Sequence, residues 1–268
     1  MRMPLFVCIA FVAALLCADA ALADSIYGVT NRNQIVVINP ITGDVSVVGA
    51  TPVGVSNISG LSGAEGGAVL IYSSDIGGGL LYRLNPLTGA LLSTHALPIT
   101  NRGGLSYQTN PGADSIFSIN DGAPFVRQLG YGAAPLAFGV AGATFPGGMG
   151  GDDNGRHFIF LSGAIQEFDP NTGALLANLG NRVGGAISGL AYDAGNLYVT
   201  TDSAGFIYTL DANTGAVLNQ RAFADSSLRV FGLGAADGNV VPEPGTLAMV
   251  GLGGVLLLVR RRRARAAS

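Results

Sequence analysis

Residues 206–215 read Phe-Ile-Tyr-Thr-Leu-Asp-Ala-Asn-Thr-Gly, and this stretch decides the fold. Its first half is rich in aromatic and β-branched residues, which favour a β-strand. Its second half ends in Asn-Thr-Gly, where glycine tolerates the positive φ that a tight turn needs. The stretch therefore predicts one strand that runs directly into a turn.

The same strand-and-turn pattern recurs along the chain. It is found at residues 37–43, 82–89 and 167–173, with a degenerate copy at residues 126–132. The closing glycines of the five copies, spaced 46, 43, 41 and 42 residues apart, are Gly43, Gly89, Gly132, Gly173 and Gly215. A second marker, glycine followed by leucine or methionine, keeps a similar period and begins at Gly60, Gly104, Gly148, Gly189 and Gly232. Two markers with one period indicate a fivefold repeat.

The last complete repeat shows what each unit is. Four short apolar or β-branched stretches, separated by turn residues, lie at residues 187–193, 197–201, 206–211 and 216–223. Four strands in about forty residues are typical of a β-propeller blade.

The two ends of the repeat region predict how the ring closes. The first copy begins with its second strand, at residues 26–29, whereas a spare inner strand lies at residues 229–234. Pairing of these segments would remove two exposed strand edges. We therefore expect an all-β, five-bladed β-propeller with N- and C-terminal strand closure. An open β-solenoid or a twisted sheet of the same repeats is the alternative.

The repeat resembles the blades of quinoprotein-like and YVTN-type β-propellers. The resemblance is clearest at residues 80–89 and 206–215, which match the pattern Leu-Tyr-x-Leu-Asp-Pro-x-Thr-Gly. It concerns the fold, because such blades occur in enzymes, binding modules and structural proteins. The chain has no tryptophan, a residue usual in quinoprotein enzyme blades, which speaks against a cofactor.

The N-terminal residues 1–23 read as a secretory signal peptide. A positive start and a short apolar helix precede an A-x-A site at Ala21 and Ala23, with cleavage after Ala20 as the alternative. A lipoprotein signal would use Cys17, but Leu16 is large for the residue before a lipidated cysteine. Both cysteines, Cys8 and Cys17, lie inside this peptide, so the mature chain has neither disulfides nor thiolate ligands.

The body, residues 24–239, carries an acidic charge. Between residues 24 and 241 there are 8 arginines, no lysine and 15 acidic residues, which gives a formal charge of −7. Phosphate binding needs a basic face, so nucleic acid is not an expected partner.

The C-terminal residues 240–268 combine three features in a fixed order. Pro242, Glu243 and Pro244 precede an apolar stretch at residues 245–259, which an arginine cluster follows. The stretch is short for a transmembrane helix, but residues before it and snorkelling arginines extend it. The arginines hold this end in the cytoplasm, so the body faces outward. A permanent membrane anchor is one interpretation of this tail.

The tail also resembles the PEP-CTERM sorting signal. The resemblance implies that a membrane-embedded exosortase recognises Pro242, Glu243 and Pro244 and cuts the tail. The stop-transfer part would be Arg260, Arg261, Arg262 and Arg263. It further implies anchoring in the inner membrane before processing, and then release to the cell surface or the medium, in company with exopolysaccharide.

Catalytic signatures are sparse in the body. His95 and His157 lie in different repeats, and no His-Glu-x-x-His or Gly-x-Ser-x-Gly motif occurs there. Asp152, Asp153 and Asn154 are weak candidates for a calcium or sugar site. The same residues suit the hairpin between the first two strands of the fourth blade, and turn chemistry alone explains them.

Other polar and aromatic residues have structural explanations. Asn39, Asn85, Asp169 and Asp211 precede turns, so we expect them to cap those turns rather than bind a metal. A carbohydrate-binding face is conceivable for six tyrosines, but strand packing explains them as well. These are Tyr72, Tyr82, Tyr107, Tyr192, Tyr198 and Tyr208.

Together these features predict a non-enzymatic surface or matrix protein without a cofactor, whose propeller is a rigid platform. The alternative is a secreted or periplasmic propeller enzyme, such as a lyase, a lactonase or a glycan hydrolase. Asp152, Asp153 and His157 would be its first candidate residues, and their clustering at the mouth of the channel would favour it.

Overall fold

Four-stranded antiparallel sheets are the only repeating element in a computed structural model of the chain, as far as its described residues extend. These are residues 26–54, 59–65, 68–74, 78–97, 104–108, 114–119, 125–131, 135–138, 147–151, 155–203 and 205–235. They all belong to one compact unit, Ser25–Val240. Within these ranges no helix is long and apolar enough to cross a membrane. The predicted signal helix and C-terminal transmembrane helix lie outside the described residues.

Twenty strands form five sheets. The first blade consists of β1 (Ile26–Thr30), β2 (Gln34–Ile38), β3 (Val45–Ala50) and, as its inner strand, β20 (Val230–Ala235). The second blade consists of β4 (Ser59–Ala64), β5 (Val69–Ser74), β6 (Leu80–Leu84) and β7 (Leu91–Ala96). The third consists of β8 (Leu105–Gln108), β9 (Ser115–Ser118), β10 (Phe125–Leu129) and β11 (Pro135–Phe138). The fourth consists of β12 (Met149–Gly151), β13 (His157–Leu161), β14 (Ala164–Phe168) and β15 (Leu175–Gly180). The fifth consists of β16 (Ile187–Asp193), β17 (Asn196–Thr201), β18 (Phe206–Asp211) and β19 (Val217–Ala222).

The five sheets form a closed ring. The inner strands β20, β4, β8, β12 and β16 contact one another in this cyclic order, which is the arrangement of a β-propeller. The last strand closes the ring, because β20 pairs antiparallel with β1, from Ile26 opposite Ala235 to Thr30 opposite Val230. The predicted five-bladed fold and its strand closure are thus confirmed, and the open solenoid is excluded.

The central channel is narrow. Strands β12 and β20 belong to blades that are not neighbours, yet some of their Cα atoms come within 8 Å of each other. Five blades leave less room at the axis than a larger ring would. The inner strands must therefore carry residues that let backbones approach closely.

Glycines of the second sequence marker meet this requirement. A Cβ atom on Gly104 or Gly148 would overlap the backbone of Met149 or Leu190, respectively, in the next inner strand. One on Gly189 would lie 2.8 Å from Cγ of Leu233, which is too close for any side chain. The glycine of one marker thus packs against the large residue of the next, so the marker encodes the contact between blades.

Five separate cores fill the spaces between neighbouring blades. The core between the fourth and fifth blades, for example, contains Phe158 and Ile165 from one and Leu190 and Leu210 from the other. The other four spaces contain equivalent clusters of buried aliphatic and aromatic side chains. Since each core is shared by two blades, no blade buries its apolar surface alone.

The repeated turn between the third and fourth strands of a blade follows the predicted chemistry. In four blades the side chain of its first residue accepts hydrogen bonds from two backbone N–H groups of the turn, as Asp211 does from Asn213 at 2.9 Å and from Thr214 at 2.8 Å. Asn39, Asn85 and Asp169 act in the same way. The capping role expected for these residues is confirmed.

The glycine that closes each turn has a second task. Gly215 has a φ of 68°, which other residues rarely adopt, and a Cβ atom there would lie 2.8 Å from the carbonyl oxygen of Leu179 in the preceding blade. Gly43 and Gly89 approach the outer strand of their preceding blades in the same way, at Ala222 and Gly49. The Thr-Gly ending therefore provides both the turn and a contact between blades.

The third blade departs from this pattern. Its strand register aligns Gln128 with Leu84 and Leu129 with Asn85, so the turn begins without an Asn or Asp cap. The described register thus differs by one residue from the alignment on Gly132. Gly132 itself lies outside the described residues.

We predict that Gly148→Ala destabilises the ring by about 1–3 kcal/mol, because the added methyl group must displace the backbone at Leu190. Thermal unfolding followed by circular dichroism measures the change. Ala186→Val, which adds methyl groups at an exposed position, is the control and should leave the unfolding temperature unchanged. Equal unfolding temperatures for Gly148→Ala and the wild type would contradict this account of the channel.

Candidate functional site

The predicted site residues are divided between described and undescribed parts of the chain. Asp152, Asp153 and Asn154 lie outside the described residues, as do the sorting residues Pro242–Pro244 and Arg260–Arg263 and the signal-cleavage residues Ala21 and Ala23. The flanks of the Asp-Asp-Asn segment are described. Gly151 ends β12 and pairs antiparallel with His157 at the start of β13, in the fourth blade.

His157 lies in the interior rather than on an accessible surface. Its side chain is fully buried between the third and fourth blades, against the rings of Phe117 and Phe168 at centroid distances of 4.4 and 5.7 Å. Its Nδ1 atom lies 3.0 Å from Oγ of Ser106, which is itself buried in β8. Its Nε2 atom is buried without a hydrogen-bond partner among the described residues.

The surroundings of His157 hold the ring neutral. Burial, together with the nearby positive charge of Arg127, lowers the pKa of His157 to about 3. A neutral imidazole next to a serine hydroxyl is a pairing found in hydrolases. Here, however, both partners are buried, so the described geometry offers a substrate no access to them.

A polar cluster that sequence reasoning missed joins the second and third blades. Arg83 in β6 makes a two-pronged ion pair with Glu65, with N–O distances of 2.6 to 3.0 Å. The guanidinium also lies over the ring of Tyr131, 4.9 Å from its centroid, and the Tyr131 hydroxyl donates to Glu65 at 2.8 Å. Tyr131 also contacts the ring of His95, with the two ring centroids 4.7 Å apart.

This cluster continues towards the hairpin of the third blade. The hydroxyl of Tyr107 donates a hydrogen bond to Oδ2 of Asp114. Burial raises the pKa of Tyr107, with a further contribution from this carboxylate. Burial likewise raises the pKa of Tyr131, with a further contribution from Glu65. Both phenols therefore stay protonated and act as hydrogen-bond donors, which is a positioning role.

Arg156 makes the corresponding contact between the fourth and fifth blades. It binds both carboxylate oxygens of Glu167, at 2.8 and 3.0 Å. It also donates to the carbonyl oxygen of Ala212 and to Oδ1 of Asn213, each at 3.1 Å. The hydrogen bonds to Glu167 raise the pKa of Arg156, so its charge is permanent.

One pattern unites these arginines. Four of the five turns between third and fourth strands receive an arginine from the preceding blade, always at the residue two positions after the turn begins. The contacts are Arg83 to Tyr131, Arg127 to Asn171, Arg156 to Asn213 and Arg221 to the carbonyl of Ile41. The spacing of the repeats predicts where the turns lie. The arginine contacts themselves could not be predicted, because they join residues up to 180 positions apart and neither segment shows a pattern that identifies its partner.

The tyrosines that might have formed a carbohydrate-binding face are mostly internal. Tyr72 is fully buried, and Tyr82, Tyr107, Tyr192 and Tyr198 are at most 6% exposed. Packing explains these five, whereas Tyr208 is half-buried beside Phe206.

A shallow pocket of about 170 Å³ lies between the first blade and the connection that leads into β20. Val36, Val45 and Phe223 form its apolar part, while Arg32 and Asp225 form an ion pair at its edge. Hydrogen bonds from Ser227 and Arg32 lower the pKa of Asp225 to about 2, so the carboxylate is ionised and engaged. In the described part of the chain no three His, Cys, Asp or Glu side chains are grouped as a metal site would require.

We predict that His157 makes stability fall in mild acid. The unfolded chain binds a proton near pH 6.5, whereas the folded protein excludes it until about pH 3. Stability is therefore complete above pH 6.5 and declines by up to about 1.4 kcal/mol per pH unit below it. Urea unfolding between pH 7 and 4 should show a smaller decline for His157→Phe than for the wild type. Parallel curves for the two proteins would disprove the assignment.

We also predict that Arg156→Lys destabilises the fold almost as much as Arg156→Gln, by about 1–2 kcal/mol. A lysine ammonium cannot reach Glu167, Ala212 and Asn213 together, because it lacks the planar fork of arginine. Chemical denaturation measures the loss. Arg182→Lys, at an exposed arginine, is the control and should leave stability unchanged. Full stability of Arg156→Lys would show that only the charge matters.

Comparison with known proteins bears on the two parts of the chain separately. The PEP-CTERM protein-sorting motif matches residues 240–263. No curated protein sequence matches the chain. The solved structures that resemble it include a chain of the nidogen/laminin complex, with a TM-score of 0.54 and 11% identity over 80% of this chain and 98% of that one.

Two further structures are more distant. Glutaminyl cyclase from Myxococcus xanthus has a TM-score of 0.45 and 17% identity, over 68% of this chain and 71% of that one. A protein of unknown function from Bacteroides caccae has a TM-score of 0.45 and 16% identity, over 75% and 73%. At such identities the likeness concerns the fold alone. The chain is thus a five-bladed β-propeller followed by a PEP-CTERM protein-sorting motif.

Proposed function

We propose that this chain is an exported protein whose C-terminal tail is recognised and cut by an exosortase. The observation that carries the proposal is the match of residues 240–263 to the PEP-CTERM protein-sorting motif. Pro242, Glu243 and Pro244 are the recognition residues of this proposal, and the arginines from Arg260 to Arg263 stop transfer through the inner membrane. The signal peptide at residues 1–23 starts the export that the sorting motif completes.

We propose further that the released propeller is a non-enzymatic platform at the cell surface or in an exopolysaccharide matrix. Its acidic body suits a soluble extracellular surface. Arg127, Arg156 and Arg221 each bind a turn of the next blade. His157 lies in the interior of the ring. These groups are thus occupied with the structure of the ring, which supports a platform more than the alternative propeller enzyme.

The decisive experiment replaces Pro242, Glu243 and Pro244 by alanine in the native host. The wild type should yield a protein whose mass ends near Pro242 and which leaves the membrane fraction. The triple variant should extend to Ser268 and stay in the membrane, because the processing enzyme no longer recognises it. Intact-mass spectrometry of each cell fraction measures both properties.

The matched control replaces the adjacent Val240 and Val241 by alanine, which changes the same segment but keeps Pro-Glu-Pro. This variant should be processed like the wild type. A wild-type mass that runs to Ser268 in the membrane fraction would refute sorting and indicate a permanently anchored propeller.

A further inference from the structure

Two interfaces of the ring place a guanidinium over a phenylalanine ring in the same position. Between the fourth and fifth blades, Cζ of Arg156 lies 5.0 Å from the ring centroid of Phe158. Between the third and fourth blades, Cζ of Arg127 lies 5.8 Å from that of Phe117. The two phenylalanines are equivalent, since each lies opposite the residue that follows the glycine marker of its blade. The fourth blade is therefore an internal reference for the third.

Both guanidiniums also bind the turn of the next blade in the same way. Nη1 of Arg156 donates to Oδ1 of Asn213 at 3.1 Å. Nη1 of Arg127 donates to Oδ1 of Asn171, also at 3.1 Å. Each asparagine lies two residues after the aspartate that begins its turn. The polar contacts across the two interfaces thus use the same atoms.

The two arginines differ in their counter-charge. Nε and Nη2 of Arg156 bind the two carboxylate oxygens of Glu167, which lies opposite Phe158. In the third blade the position opposite the phenylalanine is taken by Arg127 itself. Its Nε donates to the hydroxyl of Ser115 at 2.9 Å. Among the described residues no carboxylate pairs with Arg127, so the third blade has the arginine without its anion.

The second blade confirms that an anion belongs beside an arginine at this position. Arg83 lies directly before Leu84 as Arg127 lies directly before Gln128, and these two following residues are aligned by the strand register. Nη2 of Arg83 binds both carboxylate oxygens of Glu65. The equivalent arginine of the second blade is therefore neutralised, whereas that of the third blade is not.

The missing counter-charge has an energetic consequence because Arg127 is half-buried. A charge that is partly withdrawn from water costs free energy unless an opposite charge compensates it. The uncompensated charge also acts on the interior. It contributes to the low pKa of His157, whose ring lies 4.4 Å from that of Phe117. An anion beside Arg127 would relieve both effects.

We propose that Arg127 binds the carboxylate group of a ligand at the interface of the third and fourth blades. A guanidinium carries five N–H donors. Nε and Nη1 of Arg127 each use one, so the remaining three, on Nη1 and Nη2, have no partner among the described residues. The edge formed by these two nitrogens suits two parallel hydrogen bonds to one carboxylate. The ligand thus takes the place that Glu167 has beside Arg156.

The position of the site favours a ligand that arrives from solvent. Arg127 is half-buried and Asn171 is exposed, whereas His157 is fully buried and only senses the charge. Carboxylates occur in small organic acids and in the uronic acids of polysaccharides, and Arg127 recognises the group that both share. The inference goes beyond the proposed platform role and does not rest on it.

The test follows the imidazole signals of residues 24–241 by NMR, because Ser25–Val240 form one compact unit with its own closed ring. The chain has two histidines, so His157→Phe assigns the signal of His157. Sodium acetate or sodium glucuronate is added at constant ionic strength, with glucose as the neutral counterpart.

Both carboxylates should shift the His157 signal until it saturates, because a bound anion offsets the charge of Arg127, whereas glucose should leave it unchanged. A dissociation constant of about 1–10 mM is expected for one two-pronged contact. Tighter binding of glucuronate than of acetate would show that the site also contacts the sugar ring. Equal binding would show that it recognises the carboxylate alone.

Asn171→Asp is the decisive variant, because it places a permanent carboxylate next to Arg127 and keeps the backbone contacts of the turn. It should weaken acetate binding by about tenfold, since the site then has its own counter-charge. The matched control, Asn213→Asp, makes the same change beside Arg156, which Glu167 already neutralises. It should bind acetate like the wild type.

The proposal is overturned if neither carboxylate shifts the His157 signal, or if Asn171→Asp binds acetate as the wild type does. Equal losses in Asn171→Asp and Asn213→Asp would also overturn it, because they would assign the effect to general charge. Arg127→Gln should abolish the shift, and its unfolding temperature shows whether the ring is still folded. None of these results depends on tail cleavage, so sorting and carboxylate binding can fail separately.

Discussion

The close approach of neighbouring inner strands is the constraint on which the rest of the structure depends. At Gly104 and Gly148 the backbone of the next blade occupies the space that a side chain would need, and at Gly189 the side chain of Leu233 does so. These contacts bring the five inner strands together around a narrow channel. Because the five blades radiate from the channel, the space between neighbouring blades widens outward and admits the aliphatic and aromatic side chains of the five cores. The glycines thus determine the ring, and the cores stabilise it.

A second ring of contacts holds the blades together further out, and it relies on arginine. Arg156 joins Glu167, Asn213 and a backbone carbonyl at once, which a planar group with five donors can do and an ammonium cannot. This requirement offers a physical reason why an arginine rather than a lysine stands at position 156. The first and second blades lack such a link among the described residues, and there the backbones of Gly49 and Gly89 approach directly. Polar bridging and backbone contact therefore serve the same purpose at different interfaces.

The inner glycine contacts and the outer arginine contacts explain which features of the structure could be predicted from sequence. The number of blades and the closing strand follow from glycine spacing, because the inner contacts at Gly104, Gly148 and Gly189 leave no room for a larger residue. The capping role of Asp211 is local and was equally predictable. The third blade was misaligned because buried Gln128 and the uncapped Leu129 break the apolar and Asx pattern that marks the turn. The burial of His157 against Ser106, 51 residues away, depends on how two blades meet and has no signature in either segment.

The order of the chain also connects folding with the proposed sorting. β20 is both the last strand of the body and the inner strand of the first blade, so the ring cannot close until residue 235 is available. Only five residues separate this strand from Val241, after which Pro-Glu-Pro begins. A cut at Pro242 would therefore leave every strand in place and release a closed ring. A cut ten residues earlier would remove most of β20, open the first blade and expose two strand edges together with the core around Val230 and Leu233. The position of the motif is thus compatible with release of an intact propeller.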